Sequence, residues 1–161
     1  MDQEQEVGKS WYAAKVFFNR VAEVSKVCEE MEVKNYIPSD VITSLAFFYC
    51  TESELFDIQN ELYQRIHVYT RLDSRDPMPI PQREMDLFIM VTSSGDNNLL
   101  FLGEDKPEYH QGDRVRVTEG PFKGAEGHIK RIKKDRRLII TIPGIAAVAT
   151  TFIPPQFLEK I

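Results

Sequence analysis

Gly112–Gly127, GDRVRVTEGPFKGAEG, is the stretch from which the rest of the chain can be read. Val115 and Val117 alternate with Arg114 and Arg116, the period-2 pattern of a strand with one buried face. Gly112-Asp113 in front marks a turn, and Gly120-Pro121 with Gly124 behind marks a tight, exposed loop. Gly127 then opens a second strand, His128 to Ile132. Three glycines, Gly120, Gly124 and Gly127, point to backbone held at positive φ or packed against another segment. Beyond this hairpin, Leu138, Ile140 and Ile142 alternate inward, as do Ala146, Val148 and Thr150. Phe157-Leu158 can close a small barrel of about 50 residues, whose core must be thin.

Upstream of that stretch the composition changes. The chain has 161 residues, 42% hydrophobic and 28% charged, the profile of one soluble globular domain or two small ones. Residues 108–161 carry ten Lys/Arg against six Asp/Glu, whereas residues 1–107 carry ten against nineteen. This break in sign predicts two modules with different partners. The polar segment Gly103 to Gln111 is the expected linker, between a first domain over 10–102 and a second over 112–161. The start, MDQEQEVGK, is acidic and polar and does not read as a secretory signal. The longest apolar run, Val41 to Cys50, is interrupted and far short of the roughly 20 residues that span a bilayer. Cys28 and Cys50 fit buried thiols in a reducing cytoplasm.

The first domain reads as strand, helix, two strands, helix, strand, helix: an α+β unit with helices on an antiparallel sheet. Trp11 to Phe17 is the first strand, and Asn19 is placed to cap the next helix. That helix carries Val21, Val24, Cys28 and Met31 on one face. Asn35 to Pro38 and Leu45 to Cys50 are strands. Thr51-x-x-Glu54 has capping-box spacing ahead of Leu55, Ile58 and Leu62. Ile66 to Arg71 is a further strand. Pro81 suits the first turn of a helix whose Met85, Phe88 and Ile89 face inward.

No catalytic constellation is present. His67, His110 and His128 are scattered, no acidic group has metal-ligand spacing, and there is no phosphate-binding glycine loop. The expectation is a binding protein without cofactor or metal. Two basic clusters stand out: Lys15 with Arg20, around the start of the first helix, and Lys130, Arg131, Lys133, Lys134, Arg136 and Arg137 in one hairpin. The hairpin reads equally well as a solvated turn or as an RNA-facing patch.

The Gly-Asp turn, the alternating strand, the Gly-Pro-Phe-Lys-Gly loop and Glu126-Gly127 together resemble the KOW motif of NusG-family elongation factors and some ribosomal proteins. Trp11-Tyr12, Tyr36-Ile37-Pro38 and Ile80-Pro81 are similar to the NusG N-terminal domain. Gly124–Ile132 and the ending Phe157–Ile161 resemble the specialised paralogues of the UpxY type, linked in Bacteroides to capsular-polysaccharide operons. The resemblance covers about residues 10–161. It implies an α+β N-terminal (NGN) domain plus an all-β, SH3-like KOW barrel. It also implies a cytoplasmic elongation factor acting as an operon-specialised antiterminator.

By position, Leu45 and Phe47, with Tyr69 and Ile80, would form the cavity for the clamp helices of the largest RNA polymerase subunit. Non-template DNA or nascent RNA are further implied partners, at Lys15 and Arg20 or at the basic hairpin. Phe122, Ile142 and Ile145 correspond to the KOW face that in NusG meets Rho or a small-subunit ribosomal protein. Pro143 and Ile145 replace that face's phenylalanine and arginine, so Rho is expected to be lost as a partner. Two further departures are the absent Phe-Pro-Gly-Tyr lead into the aromatic strand and the short connection from Pro38 to Ser44. The other reading is a translation-associated KOW protein on ribosomal RNA, against which the acidic first domain argues.

Overall fold

The computed structural model describes residues 8–161, so the start of the chain through Val7 lies outside the description. Contacts divide the chain into one unit ending at Gln82 and a second, Arg83–Ile161.

In the first unit, Ser10–Val16 (β1) is followed by Val21–Glu30 (α1), Lys34–Tyr36 (β2), Leu45–Cys50 (β3), Glu52–Glu61 (α2) and Ile66–Val68 (β4). The strands form an antiparallel sheet in the order β2-β3-β1-β4. One face carries Tyr12, Ala14, Val16, Ala46, Phe48 and Cys50, which pack with Val24 and Cys28 of α1 and Leu55 and Ile58 of α2. Thr51 caps α2 with the full reciprocal pair: its Oγ1 accepts from the Glu54 amide, and Glu54 Oε1 accepts from the Thr51 amide.

Asn19 does not cap α1. It follows Phe18 in a left-handed turn (φ 58° and 54°), and Arg20 occupies the N-cap position without a side-chain cap. The short Pro38–Ser44 connection is a hydrogen-bonded turn. The amides of Val41 and Ile42 both donate to the Pro38 carbonyl, and Ile42 is buried.

The second unit contains most of Gln82–Thr92 (α3), then Leu100–Gly103 (β5), Arg114–Val117 (β6), Glu126–Ile132 (β7), Asp135–Ile142 (β8), Ala146–Phe152 (β9) and Leu158–Lys160 (β10). The sheet is antiparallel in the order β10-β6-β7-β8-β9-β5.

The contacts therefore divide the chain about twenty residues before the expected linker. Val91 of α3 is buried in one cluster with Val115, Val117, Leu138 and Ile140, with Met90 and Leu99 packed against it. β5 adds a strand to β9, and the Pro107–His110 3-10 helix buries Tyr109 inside the segment expected to be a linker. The extra cover also explains a departure from strict alternation. Ile139, Ala147 and Ala149 face away from the first cluster but are buried in a second with Tyr109, and Leu100 and Leu102 pack against it.

Candidate binding surfaces

The sheet face of the first unit opposite α1 and α2 is aromatic. Register places Phe47 between Ala13 and Tyr36, and Tyr49 between Trp11 and Lys34. Directly paired residues share a face, so these two rows form one patch. Lys34 Nζ lies 5.7 Å from the Trp11 ring and 5.6 Å from the Tyr49 ring, and those rings are 5.5 Å apart. The Tyr69 amide donates to the Ala13 carbonyl at 2.9 Å, and the Ile80 amide donates to the Trp11 carbonyl at 2.8 Å. Both residues thus extend the patch beyond β1. Trp11 Nε1 donates to Gln82 Oε1 at 3.1 Å, fixing the indole.

The structure brings Leu45, Phe47, Tyr69 and Ile80 to one face. Leu45, Phe47 and Ile80 are buried and Tyr69 is half-buried, as are Tyr36 and Tyr49. The two tyrosines Tyr36 and Tyr49 were not among the expected site residues. Their signal was their parity with Phe47 once β2 is paired to β3.

Lys15 and Arg20 are not brought together as one basic patch. Lys15 is half-buried and pairs in register with Leu45. Arg20 is exposed and engages Glu23 at 2.8 Å, and Glu23 also takes Arg65 at 3.3 Å. Between them stand the exposed rings of Phe17 and Phe18, 6.4 Å apart.

In the second unit, Phe122, Ile142 and Ile145 are all buried, so none of them presents an open side chain. Beside Phe122 runs a cleft of about 100 Å³ lined by Val117, Pro121, Phe152, Pro154 and Phe157 among others. Phe152, 48% exposed, is the accessible aromatic there. It ends β9 after a run of buried residues, and nothing in the local pattern singled it out.

Glu126 begins β7 with its carboxylate nearly enclosed, and three arginines converge on it. Arg83 of α3 binds one oxygen, Arg114 lies at 3.3 Å and Arg116 at 3.5 Å. The Arg-Val-Arg strand and the Glu-Gly pair of the quoted stretch are thus one ionic cluster, joined from α3.

Cys28 and Cys50 are free and buried. Burial pushes the Cys28 thiol up to about 11 and, with nearby Glu54, the Cys50 thiol up to about 12. Such thiols are poor nucleophiles at neutral pH. Among the described residues no cluster of His, Cys, Asp and Glu has metal-holding geometry. Also among the described residues, no helix is long and apolar enough to cross a membrane.

Residues 111–142 match the family model of the KOW motif. Over 71 residues the chain is 37% identical to the transcription termination/antitermination protein NusG of Haemophilus influenzae. That match covers 41% of this chain and spans 34% of the relative. The solved structure described as domain interaction in Thermotoga maritima NusG aligns over 95% of this chain and 97% of that one, with a TM-score of 0.54 and 19% identity. The chain is thus similar to NusG, of which the matched stretch spans about a third. Its fold is NusG-like, an α+β N-terminal part followed by a β-rich KOW part. A further similarity, to an MjSpt4:Spt5 complex, has a TM-score of 0.37 and 13% identity over 94% of this chain and 96% of that one.

Proposed function

We propose that this protein is a cytoplasmic transcription elongation factor that binds RNA polymerase, and that it acts as an operon-specialised antiterminator of the UpxY type. The observation that carries the polymerase reading is the aromatic sheet face opposite α1 and α2. Leu45, Phe47 and Ile80 are buried beneath it, and half-buried Tyr36, Tyr49 and Tyr69 are its accessible part. A tyrosine-rich surface over an apolar layer suits the docking of amphipathic helices, since tyrosine supplies contact area and a polar tip together. The clamp helices of the polymerase are the proposed occupant. Polymerase binding would disfavour pausing and early termination, with no reaction catalysed and no cofactor needed.

The antiterminator reading rests on the KOW face. Where the resembled NusG face has a phenylalanine and an arginine, this chain has Pro143 and the buried Ile145. A surface without those anchors gives a termination factor little to hold. A small-subunit ribosomal protein remains the proposed partner for the cleft beside Phe122 and Phe152.

The test is in vitro transcription through an intrinsic pause and a Rho-dependent terminator. Added protein is expected to increase read-through at both. Increased termination with Rho present would contradict the antiterminator reading.

A further inference from the structure

Resting on the aromatic sheet face being a helix-docking surface, we propose that it selects a helix bearing carboxylates and that Lys34 is the residue that reads them. Charge is divided unevenly across the first unit. α1 and α2, on one side of the sheet, carry seven Asp/Glu and one Lys. Strand positions on the other side hold Lys34, Lys15 and His67 and no carboxylate: Lys34 pairs with Tyr49, and Lys15 with Leu45 and His67. Salt limits the reach of the acids behind the sheet to about 8 Å, so the local sign of the face decides which partners it admits. Lys34, beside Trp11, and Lys15 stand at opposite ends of the aromatic rows. From Trp11 to Lys15 along β1 is about 13 Å, a length that about nine residues of helix cover.

Lys34 is the better placed of the two lysines. It is exposed, and its Nζ stands 5.7 Å and 5.6 Å from the Trp11 and Tyr49 ring centres. Among the described residues no carboxylate pairs with it. The two π faces hold a long side chain in place without neutralising its charge. An ammonium ordered in advance gives up less freedom when it meets a carboxylate, and it penalises a cationic partner at the same position. A nucleic-acid strand is the less suitable occupant, because it needs open rings on which bases can stack. Trp11 and Phe47 are buried, and Lys34 lies over the Trp11 and Tyr49 rings.

The experiment titrates the full chain with three labelled probes at low and at physiological salt. Two are amphipathic helices of about 18 residues, five turns, with one leucine stripe flanked either by glutamates or by lysines. The third is single-stranded DNA. The Glu-flanked helix should bind, and more weakly as salt rises. Lys34→Met keeps an apolar stem over the rings and removes the charge, so binding should fall roughly 5-fold and its salt dependence should flatten. Lys34→Glu should lose roughly 10-fold or more, whereas Lys34→Arg should stay within about 3-fold. Neither Lys34→Met nor Lys34→Glu should weaken the Lys-flanked helix. Thermal midpoints should hold in all three variants, since Lys34 is exposed. Absent binding of the Glu-flanked helix, or unchanged binding of it by Lys34→Glu, would overturn the proposal. So would DNA binding that Lys34→Glu weakens more than it weakens the Glu-flanked helix. Titration with core RNA polymerase separates this claim from the one beneath it. A chain that binds the Glu-flanked helix through Lys34 but does not bind polymerase keeps the acidic-helix assignment and loses the polymerase one. Polymerase binding that is lost in Tyr36→Ala/Tyr69→Ala but unmoved in Lys34→Glu does the reverse.

Discussion

Gly127→Ala probes the fold at its tightest point. Gly127 lies in β7 opposite Val115 of β6, and neighbouring His128 pairs with Ile139 of β8. A methyl group built at Gly127 would sit 2.0 Å from the Ile139 carbonyl oxygen and 3.0 Å from its carbon. Contacts that short are not tolerated, and the obstruction is backbone, so β7 and β8 must separate by about 1 Å or more. Overpacking of this kind costs about 1–3 kcal/mol. Losing one or two ladder hydrogen bonds adds about 1 kcal/mol each. The expected total is about 2–5 kcal/mol, or roughly 10–25 °C in Tm for a unit of this size.

Gly124→Ala is the comparison. Gly124 has φ 95° but open space where a Cβ would stand, so only backbone strain of about 1–2 kcal/mol applies. Urea unfolding followed by circular dichroism should rank Gly127→Ala well below Gly124→Ala. If Gly127→Ala lies within 1 kcal/mol of the unsubstituted protein, the close approach of β7 to β8 is wrong.

Three further outcomes are expected. Glu126→Ala should destabilise by about 1–3 kcal/mol in urea unfolding, less than a fully buried ion pair would lose because its three arginines can regain water; no change would mean the cluster is decorative. The raised thiol values of Cys28 and Cys50 mean that the folded state holds protons which the unfolded chain releases above its ordinary pKa of about 8.5. Their contribution, on the order of 2–4 kcal/mol per thiol, is whole below that pH and lost as pH rises through 11–12. The stability gap to a Cys28→Ala/Cys50→Ala variant should therefore shrink steadily from pH 8 to pH 11, and a constant gap would contradict the assignment. A fragment of residues 83–161 should be more stable to heat than one of residues 112–161, which lacks Val91, Leu99 and the β5 cover of β9; equal midpoints would restore the boundary at the polar segment.

Much of the fold was legible because local signals agreed with it. The Thr51-x-x-Glu54 spacing became a complete capping box, and Leu45–Cys50 was read to the residue because turn signals bound it on both sides. The quoted glycines carried both readings offered for them: positive φ at Gly120 and Gly124, close approach at Gly127. What failed was tertiary. The polarity of 103–111 concealed Tyr109, one buried aromatic among charged neighbours. β5 is only four residues long and has meaning only beside β9. Asn19 looked like a cap by residue type, but the Phe18-Asn19 turn shifted the helix start to Arg20.

For the candidate surfaces, parity placed Leu45 and Phe47 on one face. Exposure could not be read from parity, and Phe47 is fully buried. Phe47→Asp would therefore unfold the protein rather than report on binding, because a buried unpaired charge is too costly. The half-buried tyrosines are the usable probes.

The central claim, polymerase binding through the aromatic sheet face, is tested most directly by titrating core RNA polymerase with the full chain and with Tyr36→Ala/Tyr69→Ala. Phe56→Ala/Tyr63→Ala, exposed on the helical side, is the control. Specific binding should fall at least 10-fold, about 1.4 kcal/mol, in the sheet-face variant and be unchanged in the control. Absent binding, or equal loss in both variants, would contradict the account.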